Sequence, residues 1–168
     1  MEGKHDAAAA SVFAGRDEEM ETDFRRVWNR VKNSGLTDDA AVLSGFIRDE
    51  LRDADDYLEI ARKTRALRVR RLLAGLAEDE RRHAKRLQAA SYMLFGGNTA
   101  ASMRRKAGDE RVLAALRRKY AQELDGAGSY RTAADNTANE ALKKLYAEIA
   151  AEEQKHAERL CAMLEELL

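Results

Sequence analysis

The feature that most constrains the fold of this chain is a long internal repeat. Residues 50–89 align with residues 123–162 without a gap, and 15 of the 40 aligned positions are identical. Both copies lack proline and carry apolar residues at the three- and four-residue spacings of an amphipathic helix. Self-similarity of this kind indicates a structural unit that occurs twice. We therefore predict two copies of one helical hairpin.

The composition supports an all-α domain and excludes several classes of function. The 168 residues include no proline and only ten glycines, and 30 basic residues balance 30 acidic ones. A chain without net charge has no field to attract nucleic acid or anionic lipid, so we expect neither as a partner. The chain also lacks the long apolar run of a membrane span and the pattern of a signal peptide, which predicts a cytoplasmic protein.

Three regions are predicted along the chain. Residues 1–16 are rich in alanine and charge and predict a disordered tail. Residues 17–35 predict an extra N-terminal amphipathic helix, which packs either on the bundle or on a second subunit, with core packing favoured. Residues 37–168 predict the four-helix bundle. We expect Thr64 to cap its second helix and Thr137 to begin its fourth through a Thr-x-x-Glu capping box.

One short motif occurs in both copies of the repeat. Glu80 and His83 are three residues apart, and Glu153 and His156 repeat the pattern 73 residues later. Residues at this spacing project from the same face of a helix, so each pair can approach one ion. All four lie in the apolar stripes of their helices, where a charged side chain requires an explanation.

A further glutamate lies in the apolar stripe of each preceding helix. Glu50 lies 14 residues before Thr64 and Glu80 lies 16 residues after it, which places both about 21 to 24 Å from the predicted turn. Glu123 repeats this spacing in the second hairpin. Six potential ligands are therefore predicted to meet in the middle of the bundle.

Buried carboxylates of this number are unfavourable unless cations neutralise them. Two divalent ions would cancel the four negative charges, and oxygen and imidazole ligands without thiolate suit iron or manganese, with zinc binding in vitro. A lone Glu-x-x-His is usually a surface pattern, but the doubled set favours a dimetal site. Tyr57 and Tyr130, each seven residues after its glutamate, are either partners of the ligands or ordinary core residues.

Over residues 38–167 the chain resembles the rubrerythrin-like branch of the ferritin-like superfamily. The resemblance rests on Glu-Arg-Arg-His-Ala-Lys-Arg-Leu at 80–87 and Glu-Gln-Lys-His-Ala-Glu-Arg-Leu at 153–160. It implies a ferritin-like four-helix bundle with one long crossover, which we expect to be nearly stretched over residues 96–108. It also implies two iron ions, bridged by Glu80 and Glu153, with Glu50, Glu123, His83 and His156 as terminal ligands.

The chain departs from that family in two ways. It has no cysteine-rich rubredoxin-like segment, which implies an external electron donor such as a rubredoxin-like protein. Gly126 also stands where rubrerythrins carry an additional glutamate.

The resemblance implies a diiron oxidoreductase that reduces hydrogen peroxide or dioxygen, and a homodimer. The alternatives are an iron-binding storage or delivery protein, a substrate hydroxylase and a metal-free helical interaction module. Manganese or a mixed-metal centre would also fit the ligand set.

Overall fold

The computed structural model describes residues 36–96 and 110–167. The chain divides into two units, Met1–Asp38 and Asp39–Leu168, and nearly all of the described residues belong to the second. In order along the chain, the helices are α1 (Leu36–Lys63), α2 (Leu67–Phe95), α3 (Val112–Asn136) and α4 (Glu140–Leu167). The described part of the chain contains helices and connecting residues but no strand. The prediction of an all-α domain is confirmed.

Several predictions lie outside the described residues. They are the tail over 1–16, the extra helix over 17–35 and, apart from Gly96, the conformation of the crossover. Gly96 itself ends α2 in the left-handed conformation, with φ 69°, and its N–H donates to the carbonyl of Tyr92 at 2.9 Å. Glycine is favoured there because a side chain would be strained at positive φ.

The helix starts differ from the capping predictions. The side chain of Asn139 caps α4, since its Oδ1 accepts from the N–H groups of Ala141 at 3.0 Å and Leu142 at 3.1 Å. Thr137 instead donates to Asp39 at 3.0 Å, so the predicted capping box is wrong. Thr64 is also not the cap of α2, because its hydroxyl accepts from Ala66 in the link before the helix.

Hydrogen bonds between the helices define the topology. Tyr57 of α1 reaches Glu123 of α3, while Tyr130, later in α3, reaches Glu50, earlier in α1. These crossed pairs make α1 and α3 antiparallel. The link over residues 64–66 joins α1 and α2 as a short antiparallel hairpin, so α2 and α3 are parallel. The end of α2 at Gly96 and the start of α3 after Glu110 therefore lie at opposite ends of the bundle, as ferritin-like connectivity requires.

Two apolar clusters hold the helices together, one on each side of the middle of the bundle. The first joins the end of α1, the starts of α2 and α3 and the end of α4; the second joins the opposite halves of the same helices. Fully burying one large apolar side chain stabilises a fold by about 1.5 to 3 kcal/mol. Together the clusters offset the cost of the polar residues between them. The first comprises Tyr57, Ile60, Val69, Leu73, Leu76, Ala77, Ala115, Leu116, Leu160 and Leu164, and the second Leu43, Ile47, Leu87, Tyr130, Ala134, Leu142, Tyr146, Ile149 and Ala150.

None of α1 to α4 contains a stretch that is both long enough and apolar enough to cross a lipid bilayer.

Candidate metal centre

All six residues that the sequence predicted as ligands converge between the two apolar clusters, and all six are buried. Their ligand atoms form two groups of four, and within each group the atoms lie within 4.8 Å of one another. Glu80 and Glu153 belong to both groups. Glu50 and His83 complete the first group, and Glu123 and His156 complete the second. That these residues bind metal stays a prediction.

The two shared glutamates each direct one oxygen toward each histidine. Oε2 of Glu80 lies 3.3 Å from Nδ1 of His83, and its Oε1 lies 3.2 Å from Nδ1 of His156. Oε1 of Glu153 lies 2.9 Å from Nδ1 of His83, and its Oε2 lies 3.9 Å from Nδ1 of His156. A carboxylate between two imidazoles in this way has the geometry of a bridging ligand.

The other two glutamates each approach a single histidine. Oε2 of Glu50 lies 3.3 Å from Nδ1 of His83, and Oε2 of Glu123 lies 3.4 Å from Nδ1 of His156. The two imidazole rings lie side by side, with centroids 5.6 Å apart and planes 22° apart. Glu50 and Glu123 therefore occupy the positions of terminal ligands, one on each side of the shared pair.

Both histidines are oriented by an acid on the opposite hairpin. Nε2 of His83 lies 3.0 Å from Glu152 Oε2, and Nε2 of His156 lies 3.3 Å from Asp79 Oδ2. An imidazole whose Nε2–H donates to a carboxylate presents the lone pair of Nδ1, which is the nitrogen that faces the cluster. Asp79 and Glu152 were not among the residues predicted from the sequence. The signal for them was the acidic residue that immediately precedes the glutamate of both motifs.

Arginines hold these two acids in turn. Arg86 lies 3.1 Å from Glu152, and Arg159 lies 3.1 Å from Asp79. The two arginines occupy equivalent positions of the repeat, each three residues after its histidine. An arginine, an acid and a histidine therefore form the same chain of contacts on both sides of the cluster, and each chain crosses between α2 and α4.

The two tyrosines also cross between hairpins. The hydroxyl of Tyr57 donates to Oε1 of Glu123, and the hydroxyl of Tyr130 donates to Oε1 of Glu50. Both rings are buried members of the apolar clusters. The tyrosines are thus core residues whose hydroxyl groups also fix the orientation of a terminal glutamate.

Several buried atoms of the cluster have no hydrogen-bond partner among the described residues. They are Oε1 of Glu80, Oε2 of Glu123, Oε1 of Glu153 and Nδ1 of His156. Some of them lie close to one another, as Oε1 of Glu80 and Nδ1 of His156 do at 3.2 Å. Unpaired buried lone pairs are costly in a protein interior. Divalent cations would satisfy all of them, so the donor set fits a dimetal centre.

Protonation of the cluster is divided unevenly among its carboxyl groups. Burial raises the pKa of Glu50 to about 8 and that of Glu153 to about 11. Burial also opposes ionisation of Glu80 and Glu123, but contacts with His156 outweigh it and lower the pKa of both. Burial lowers the pKa of His156, yet Glu123 and Glu80 raise it overall to about 9. Without metal the site therefore retains protons near neutral pH, and cations must displace them.

Among known protein families, the model of the Rubrerythrin family matches residues 114–168 of the chain. The match covers nearly all of α3 and α4, including Glu123, Glu153 and His156. The predicted resemblance to rubrerythrins is confirmed over this hairpin. The first hairpin lies outside the match and is related to the second by the internal repeat. A comparison with curated proteins finds no match to the chain.

Proposed function

We propose that this protein is a non-haem diiron oxidoreductase that reduces hydrogen peroxide or dioxygen with electrons from an external donor. The observation that carries the proposal is the position of Glu80 and Glu153, each of which faces both histidines. This arrangement supports two ions held close together. The rubrerythrin-like hairpin supports iron as the metal.

The two ligand groups would hold one ion each. Glu50 and His83 would bind one, Glu123 and His156 would bind the other, and the two shared glutamates would bridge them. When bound, two ferrous ions supply the two electrons that convert one peroxide and two protons into two waters.

The residues around the ligands keep this site ordered. Glu152 accepts the Nε2–H of His83, and the Asp79 carboxylate lies 3.3 Å from Nε2 of His156, so each acid favours the ring orientation that directs Nδ1 inward. Tyr57 and Tyr130 keep their hydroxyl protons and donate hydrogen bonds to the terminal glutamates Glu123 and Glu50, which limits the rotation of those carboxylates. The apolar clusters on both sides exclude water from the ligands.

The electron donor is proposed to be a separate small redox protein, such as a rubredoxin-like protein. The sequence supports this because one cysteine cannot build a cysteine-ligated iron site within this chain. A cytoplasmic location and a homodimer are part of the same proposal.

Metal content and peroxide reactivity test the proposal. The protein expressed with iron should contain two irons per chain, and anaerobic titration of the diferrous protein should give faster oxidation by peroxide than by dioxygen. Faster oxidation by dioxygen, with retention of the oxidised iron, would favour iron storage instead. A chain that binds no iron and melts at the same temperature with and without chelator would contradict the proposal.

The ligand assignment has its own test. His83→Ala combined with His156→Ala should abolish tight binding of both ions while the helical circular dichroism is retained, because the apolar clusters do not depend on these rings. Lys155→Ala is the matched control, since this exposed residue lies inside the second motif and faces away from the cluster. Unchanged binding in the double-histidine variant would show that the ligands lie elsewhere.

A further inference from the structure

Lys119 is a buried cation beside the candidate metal centre that the proposed reaction does not use. It lies on α3, one turn before Glu123, and its side chain is 0% exposed. Its Nζ lies 2.9 Å from Oδ1 of Asp53 on α1 and 3.9 Å from Oε1 of Glu123. It also lies 4.3 Å from the centre of the Tyr57 ring. Burying an ammonium group is costly, so a residue in this position requires an explanation.

The internal repeat shows which residues the other half of the site carries at the positions equivalent to Lys119 and Asp53. At the offset of 73 residues that relates the two copies, Asp53 corresponds to Gly126, and Lys119 corresponds to Phe46, each four residues before its copy begins. One half of the site therefore carries a lysine and an aspartate where the other half carries an aromatic ring and a glycine. Phe46 stacks on Tyr130 with ring centroids 4.0 Å apart, as Lys119 lies over Tyr57. The two halves place these residues alike but differ in charge.

The charge difference acts on one ligand group more than on the other. Lys119 approaches Glu123, which belongs with His156 to the second ligand group. Its partner Asp53 has a side chain that is 26% exposed, so water screens the negative charge more than it screens the buried ammonium. A second cation is therefore less favourable at Glu123 and His156 than at Glu50 and His83, where the neighbouring side chain is Phe46.

We propose that the Lys119–Asp53 pair makes the two metal positions unequal, so that the ion at Glu50 and His83 binds first and more tightly than the ion at Glu123 and His156. The inference rests on the proposed dimetal function. In this proposal Lys119 does not bind metal; its positive charge acts on the second ligand group through the nearby Glu123. Unequal positions provide one ion that stays bound and another that exchanges more readily.

Calorimetric titration of the metal-free, full-length protein with Zn²⁺ tests this without any redox reaction. The wild type should bind two ions in two steps whose affinities differ by about tenfold or more. His83→Ala should remove the tighter step and His156→Ala the weaker one. Equal affinities in the wild type, or the reverse assignment of the two steps, would overturn the inference.

The chain supplies its own matched variant. Lys119→Phe combined with Asp53→Gly installs the pair that the other half of the repeat uses, and the two affinities should then converge. Because the shared glutamates couple the ions in both proteins, the measured quantity is the change in the ratio of the two affinities. An unchanged ratio would overturn the inference even though metal is bound.

A second variant guards against misfolding of the first. Lys119→Met combined with Asp53→Asn keeps the side-chain volumes close to the original and removes both charges, and it should reduce the affinity ratio in the same direction. Thermal melting followed by circular dichroism checks that each variant is folded. If the wild type binds no second Zn²⁺, both the proposed dimetal function and this inference fail. If two ions bind and neither variant changes the ratio, only the inference fails.

Discussion

The proton on Glu50 makes the stability of the metal-free fold depend on pH. Burial raises the pKa of this carboxyl group to about 8 in the metal-free fold, from 4.5 for the unperturbed group. Between these values the folded protein holds a proton that the unfolded chain has released. Raising the pH through this window therefore favours the unfolded chain, and the stabilisation that the group provides at low pH is lost as the pH approaches 8.

The size of the effect follows from the linkage of one proton. A difference of one bound proton changes the free energy of unfolding by about 1.4 kcal/mol per pH unit. Between pH 5.5 and 7.5 Glu50 alone should therefore cost the metal-free fold about 3 kcal/mol. This is a large part of the roughly 5 to 15 kcal/mol that stabilises most domains, so ordinary denaturation measurements will detect it.

Glu50→Gln isolates this contribution. The amide stays neutral at every pH and can still accept the hydrogen bond of Tyr130, so it imitates the protonated acid. Because the unfolded chain has already released this proton at pH 5.5, urea unfolding with chelator present should find the variant more stable than the wild type by about 1 kcal/mol at that pH. At pH 7.5 the variant should be more stable by about 4 kcal/mol, so the difference grows by about 3 kcal/mol between the two pH values. Glu158→Gln, which changes an exposed carboxylate on α4, is the control and should follow the wild type.

Bound metal should counteract the loss of stability that the metal-free protein shows as the pH rises. Cations displace the proton from Glu50, so the stabilisation that saturating Zn²⁺ provides should increase as the pH rises from 5.5 to 7.5. A parallel loss of stability in the wild-type and Glu50→Gln proteins without metal would show that Glu50 does not hold the proton. Equal stabilisation of the wild type by Zn²⁺ at both pH values would contradict the displacement of that proton by metal.

Four further substitutions test the groups that surround the ligands. Tyr57→Phe should destabilise the metal-free fold at pH 6 by about 1.5 to 3 kcal/mol, because its acceptor Glu123 is ionised. Tyr130→Phe should cost about 0.5 to 1.5 kcal/mol, because its acceptor Glu50 is protonated. Equal losses of stability in urea unfolding would contradict these assigned charges. Asp79→Asn and Glu152→Gln should each weaken Zn²⁺ binding about 10- to 100-fold, because each histidine loses the acid that orients it. Binding within twofold of the wild type would mean that these acids do not orient the rings.

The sequence alone determined the fold class and the convergence of the six cluster residues. Helical periodicity fixes which face of a helix a residue occupies, and the rise per residue fixes its height from the turn. The sequence alone therefore places Glu50, Glu80 and His83 at one level of the first hairpin. The repeat then carried the same placement to the second hairpin.

Local signals were less reliable at the helix starts. Thr137 and Glu140 match a capping box by spacing, yet Asn139 caps α4. Threonine, asparagine and other short polar residues compete for the same backbone groups within one turn. The outcome depended on Asp39, which binds Thr137 from a different helix.

Only the tertiary structure decided which residues meet across the bundle. Asp79 and Glu152 lie beside the motifs in sequence, but each one orients the histidine of the other hairpin. Lys119 and Asp53 are 66 residues apart, and nothing in their helical spacing pairs them. Periodicity assigns a residue to a face of its own helix, whereas the partner across the interface is set by how neighbouring helices pack. The repeat shows that Lys119 and Asp53 have no charged counterparts at the equivalent positions, but their contact with each other depends on how the helices assemble.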